Sequence, residues 1–89
     1  MRHDIDIIKE RIHAILPDVK IEQLQVSHPG ADDDGLWFFR REGKIHHMQL
    51  ESSTYDLPFI IESTDTPTAS IAASIDEAVE AVREFFSRP

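Results

Sequence analysis

The chain has 89 residues, of which 40% are hydrophobic and 29% charged, the make-up of one globular domain over residues 1–89 and not of a disordered tail or a pair of domains. Nine Lys and Arg against 17 Asp and Glu give a net charge of −8, which disfavours nucleic acid and anionic membrane surfaces as partners, because both attract cations. The lack of cysteine excludes disulfides, thiolate nucleophiles and zinc fingers, and no apolar run approaches the roughly 20 residues that span a bilayer. The polar start Met1-Arg2-His3-Asp4 leads into no signal-peptide core, so a cytoplasmic protein is expected.

The first predicted element is an amphipathic helix over 4–16. Ile5, Ile8, Ile12, Ile15 and Leu16 recur at helical spacing, Asp4 or Asp6 suits the start, and Pro17 ends it. Val19 and Ile21 then alternate as in a strand, but the phase slips to Leu24 and Val26, which predicts a bulge or break near Glu22 and Gln23. Residues 27–35 hold Pro29, Gly30, Gly35 and three Asp, and read as a loop. A strand over 36–40 and a second over 45–51 form a hairpin through a three-residue loop, Arg41-Glu42-Gly43. That register pairs Arg40 with Lys44, Phe38 with His46 and Leu36 with Met48.

A polar loop over 52–56 leads to a fourth strand over 57–62, at an edge or beginning at Pro58, which has no amide hydrogen to give. Residues 63–73 read as a loop. Ser74-Ile75-Asp76-Glu77 is a capping box, and Ile75, Ala78, Val79, Val82, Phe85 and Phe86 form the apolar stripe of a final helix. The fold class is α+β: a helix, an antiparallel three- to four-stranded meander and a second helix.

The order of helix, three strands and helix resembles a double-stranded-RNA-binding domain in topology. Its basic surface is missing, because the last helix carries Asp76, Glu77, Glu80 and Glu84 where phosphate contacts would need cations. Residues 35–87, with Gly35-Leu36-Trp37-Phe38-Phe39, Gln49-Leu50-Glu51-Ser52-Ser53, Pro58-Phe59-Ile60-Ile61-Glu62 and the capped acidic helix, resemble a group of short uncharacterised bacterial proteins. That resemblance implies a small bacterial cytosolic protein of accessory or immunity type, and brings no catalytic residue with it.

Asp32-Asp33-Asp34-Gly35 invites comparison with a calcium loop. Placing Gly35 sixth in an EF-hand puts Gly30 first and Arg41 twelfth, where carboxylates are required. Asp32, Asp33 and Asp34 therefore remain only weak candidates for a divalent ion, and otherwise form a solvated acidic turn. His46 and His47 are adjacent on a predicted strand and point to opposite faces, and His28 falls in the loop, so no chelating set forms. No serine sits in a nucleophile-elbow pattern, and Gly30, Gly35 and Gly43 are turn glycines, not a phosphate cradle. Neither an enzymatic activity nor a cofactor is expected.

The informative feature is Trp37-Phe38-Phe39, three bulky rings that pleating must divide between two faces. In the predicted register Leu36, Phe38, Met48 and Leu50 share one face, while Trp37, Phe39, Ile45 and His47 share the other. With both helices on the first face, those four residues form an exposed apolar interaction face. The expectation is an acidic protein-interaction module that binds a protein partner or a second copy of itself. The alternative is a small-molecule or divalent-metal binder, using the Asp32–Asp34 loop and the sheet face near Trp37 and His47.

Overall fold

The computed structural model describes residues 3–24 and 35–87. Helix α1 (Asp4–Ile15) precedes strands β1 (Val19–Gln23), β2 (Leu36–Arg41), β3 (Met48–Glu51), β4 (Phe59–Ser63) and β5 (Thr66–Ala72), and helix α2 (Ile75–Ser87) follows. The five strands form one antiparallel sheet in chain order, so the α+β class holds with one strand more than the upper prediction. Among the described residues no helix is long and apolar enough to cross a membrane.

Both helices form where the patterns place them. At the start of α1 the Asp6 carboxylate accepts the His3 amide at 3.1 Å, satisfying one open donor. Asp4 has another role: its carboxylate accepts the Leu57 amide at 3.0 Å, and its own amide donates to Asp56 at 2.9 Å, tying the helix to the segment before β4. At α2 the Ser74 hydroxyl accepts the Glu77 amide, and the Glu77 carboxylate reaches back to the Ala73 amide. Among the described residues the last turn of α2 carries no cation. Arg41 of β2 supplies one, donating to the Phe86 carbonyl at 3.2 Å and to Asp18 at 2.8 Å.

One face of the sheet holds the core. Val19, Trp37, Phe39, Met48, Leu50, Phe59 and Ala72 point into a single buried cluster with Ile5, Ile8 and Ile12 of α1 and Ala78, Val79, Val82, Phe85 and Phe86 of α2. Both helices therefore cover the same face, packed against each other, with α1 nearest β1 and α2 nearest β5. Ile15, the last residue of the α1 stripe, stands 47% exposed beyond the sheet.

Three local expectations are corrected. The first is the β2–β3 register, which pairs Leu36 with Glu51, Trp37 with Leu50, Phe38 with Gln49 and Phe39 with Met48. This is displaced by three positions from the predicted hairpin, and an odd displacement exchanges the two faces of a strand. The physical reason is burial: placing Trp37 and Phe39 inward removes more apolar surface from water than placing Leu36 and Phe38 there. The connection is correspondingly longer. The Lys44 amide closes a turn onto the Arg41 carbonyl at 3.1 Å, with Gly43 at φ 87°. Residues 45–47 then run beside the turn after β4, where the Thr64 amide donates to the His47 carbonyl at 3.0 Å. The second concerns β1, whose register runs unbroken from Val19↔Arg41 to Gln23↔Trp37: of the bulge or break expected near Glu22 and Gln23, the break is found, as the strand end at Gln23, and the bulge is not. The third is β5, formed by residues expected to be a loop. It pairs Ile60 with Ile71 and Ile61 with Ser70 as an edge strand, where Pro67 is tolerated, and a register shift follows between Ile61 and Ser63.

Three carboxylates are held below their ordinary range. The Asp4 amide does this for Asp56, with the His3 ring assisting at 3.3 Å; the Arg41 guanidinium does it for Asp18, and the Arg83 guanidinium for Glu80. A carboxylate depressed on folding contributes stability above its unfolded pKa, about 3.9–4.3, and that stability is lost as pH falls through the lower folded value. Urea midpoints measured from about pH 6 down to about pH 2.5 should therefore fall on acidification. Asp56→Asn should make the fall shallower. A variant profile parallel to the parent's would show that Asp56 carries none of it.

Candidate functional site

The residues predicted to form an interaction face do not form one. Trp37 and Phe39 are 2% and 0% exposed, beneath the helices of their own chain. The Trp37 ring meets Tyr55 edge-on at 5.0 Å and Phe59 at 6.3 Å. Ile45 is 92% exposed in the connection before β3, and His47 lies two residues on, half-buried. The cause is the odd register displacement, which sends the two rings inward and leaves Ile45 outside any strand. His28 and the candidate metal residues Asp32, Asp33 and Asp34 lie outside the described residues. Among those described, no group of three His, Asp or Glu side chains is placed to hold a metal ion.

The same displacement builds a different surface. The sheet face away from the helices carries the outward residues in rows across the strands. The first row is Leu36, Glu51, Ile60 and Ile71, paired in register from β2 to β5, and the Leu24 amide extends it by donating to the Leu36 carbonyl at 2.8 Å. The second row is Glu22, Phe38, Gln49 and Glu62. The third begins with Lys20 opposite Arg40. His47 lies near its continuation, its ring 6.1 Å from Phe38, and Arg40 stacks over the other side of this region, 5.8 Å from the Phe38 centroid.

The first row floors a groove of about 840 Å³, walled by Ser52, Ser53, Thr54, Leu57 and Pro58. Its apolar floor is substantially open: Ile60 is 39% exposed and Ile71 67%. Its wall is held firmly. The Ser52 amide donates to the Gly35 carbonyl at 2.8 Å, the Ser52 hydroxyl to the Asp56 carbonyl, and the Ile5 amide to the Tyr55 carbonyl at 3.2 Å. Tyr55 sits at φ 69°, a conformation uncommon for a bulky residue, and its hydroxyl accepts a hydrogen bond from Gln23 at 3.1 Å. The wall is thus fastened to α1, β1 and β2, so the groove's shape is set by the core behind it.

Glu51 stands in the middle of this floor. Its cross-strand neighbours are Leu36 on one side and Ile60 on the other, it is half-buried, and it has no hydrogen-bond or ion-pair partner among the described residues. A cation placed over this carboxylate would gain a charge-assisted hydrogen bond while its stem covers the flanking aliphatic side chains. Sequence reasoning did not single out Leu24, Leu36, Glu51, Ile60 or Ile71. The one signal available was Ile60, which lies between Phe59 and Ile61 and so must face away from whichever side buries them. Compared with protein-family models, with curated proteins and with solved structures, the chain matches none.

Proposed function

We propose that this protein is a cytoplasmic protein-binding module that docks a partner on the open face of its sheet. The partner segment has apolar side chains for the floor formed by Leu24, Leu36, Ile60 and Ile71, and one Lys or Arg for Glu51. The observation that carries this reading is Glu51 itself, a half-buried carboxylate in an apolar row with no partner among the described residues. The net charge of −8 supports it, because it speeds the encounter with a cationic partner while keeping the free chain soluble. A protein segment fits better than a divalent ion, since one carboxylate among aliphatic groups is no coordination shell.

The probe is a synthetic decapeptide of alternating leucine and lysine, added to the isotope-labelled chain at about 50 μM while amide shifts are followed. Shifts should gather at Leu24, Leu36, Glu51, Ile60 and Ile71, and Glu51→Gln should weaken binding about tenfold. A peptide of leucine and glutamate should have no effect. An equal response to serine and lysine would mean bare charge attraction, and shifts spread over the helices would place the site elsewhere; either result overturns the reading.

A further inference from the structure

We infer that the segment docked on this face is a cationic amphipathic α-helix of another protein, lying across the strands with a Lys or Arg for each of Glu22, Glu51 and Glu62. This rests on the reading of the open face as a docking surface and names the form and charge of its occupant.

The open face holds a lane two rows wide. The first row, Leu36, Glu51, Ile60 and Ile71, runs along the wall formed by Ser52, Ser53, Thr54, Leu57 and Pro58. The second, Glu22, Phe38, Gln49 and Glu62, lies two residues on along each strand, about 7 Å away. Lys20 and Arg40 close the lane about 7 Å further on, at its β1 and β2 side. Leu36, Phe38 and Ile60 form the apolar middle. Glu51 stands between Leu36 and Ile60, while Glu22 and Glu62 end the second row, three strand spacings or about 14 Å apart. Glu22 and Glu62 are exposed, and neither they nor Glu51 has a cationic partner among the described residues.

These dimensions suit a helix. Its diameter with side chains, about 10–12 Å, fills both rows, whereas a single extended segment covers one and leaves Phe38 or Ile60 in water. A helix also keeps step with the strands it crosses. One turn rises about 5.4 Å and neighbouring strands stand about 4.8 Å apart, so over four strands the two drift by less than about 2 Å. Same-side residues of an extended segment recur at nearly 7 Å and lose step at the second strand. Three helical turns bring flanking cations within a side chain's reach of Glu22 and Glu62, with their stems over Phe38 and Gln49.

Charge names the partner. Three carboxylates among apolar side chains select Lys and Arg at the edges of the helix's apolar stripe, and Lys20 and Arg40 favour Asp or Glu along its far border. A second copy offers no such helix among the described residues. Its α1 and α2 bury their apolar stripes in their own core, and α2 carries Asp76, Glu77, Glu80 and Glu84.

Two peptides of about fourteen residues with equal leucine and lysine content test this, one with its leucines at helical spacing and one strictly alternating. Each is titrated into the isotope-labelled full chain. The helical pattern should bind at least about tenfold more tightly, gain helical dichroism on binding, and shift the amides of both rows. Glu22→Gln and Glu62→Gln should each weaken it about threefold, with unchanged emission from the buried Trp37 showing that the variants fold. Equal binding of the two peptides, or tighter binding of the alternating one, would overturn the helix and leave the proposed function standing. Helical binding that neither substitution weakens would overturn the charge assignment and the inference with it. A dimer of the free chain in sedimentation equilibrium that the peptide dissociates would make a second copy the occupant and overturn it too. If neither peptide binds, both this inference and the proposed function fall.

Discussion

Trp37→Ala should destabilise the fold by about 3–5 kcal/mol, the range for emptying a large buried aromatic site. The indole is 2% exposed, lies between Gln23 and Leu50 in the ladder, and packs edge-on against Tyr55 and Phe59. Tyr55 and Phe59 cannot fill the space without moving β4 and the wall of the groove. A domain of this length has a total stability of only about 4–13 kcal/mol, so much of the population should unfold at modest urea concentrations. Phe38→Ala, one residue away on the open face, should change the stability by no more than about 1 kcal/mol. Urea titrations followed by far-ultraviolet dichroism decide between the two. If Phe38→Ala were the costlier change, the faces of β2 would be the reverse of those described.

Gly35→Ala should be the next most damaging single change, at about 3 kcal/mol or more. Gly35 is buried where β2 begins, and its carbonyl accepts the Ser52 amide at 2.8 Å. A methyl group there would overlap the Ser52 carbonyl oxygen, and would lie 2.9 Å from the Ser52 carbonyl carbon and 3.2 Å from the Ser53 Cα. All three are backbone atoms, so no side-chain rotation relieves the clash, and the ends of β2 and β3 must separate. The groove wall should shift with them, so the leucine–lysine peptide should bind less well to whatever fraction stays folded. Gly43 gives the contrast. It has φ 87° but open space around its Cα, so Gly43→Ala should cost only the left-handed backbone penalty, about 1–2 kcal/mol. Thermal midpoints of the two variants would refute the argument if Gly43→Ala fell further.

The proposed docking face and these stability effects have one origin. The choice of inward residues on β2 decides what the core contains, and the residues left over become the surface. Burying Trp37 and Phe39 leaves Leu36 and Phe38 outside, and the same parity puts Ile60 and Ile71 beside them. A small domain with two helices covers one face of its sheet, so some apolar side chains on the other face remain in water.

The helices were legible in the sequence because their signals are local. The stripe of Ile5, Ile8 and Ile12, the stop at Pro17 and the Ser74–Glu77 cap all depend on residues within a few positions of one another. The strand over Leu36–Arg41 and the antiparallel order were legible for a similar reason, as alternating bulky residues joined by short turns. The edge strand Thr66–Ala72 was not, since Thr68, Ala69 and Ser70 are exposed and what places the strand is backbone pairing with β4. The facing of Trp37-Phe38-Phe39 was not legible either. Pleating fixes that the middle ring opposes the outer two, but it leaves open which side meets the helices. Only the tertiary structure decided that, through the larger apolar area removed from water when Trp37 and Phe39 turn inward, and with it decided that Glu51 would fall on the open face between Leu36 and Ile60.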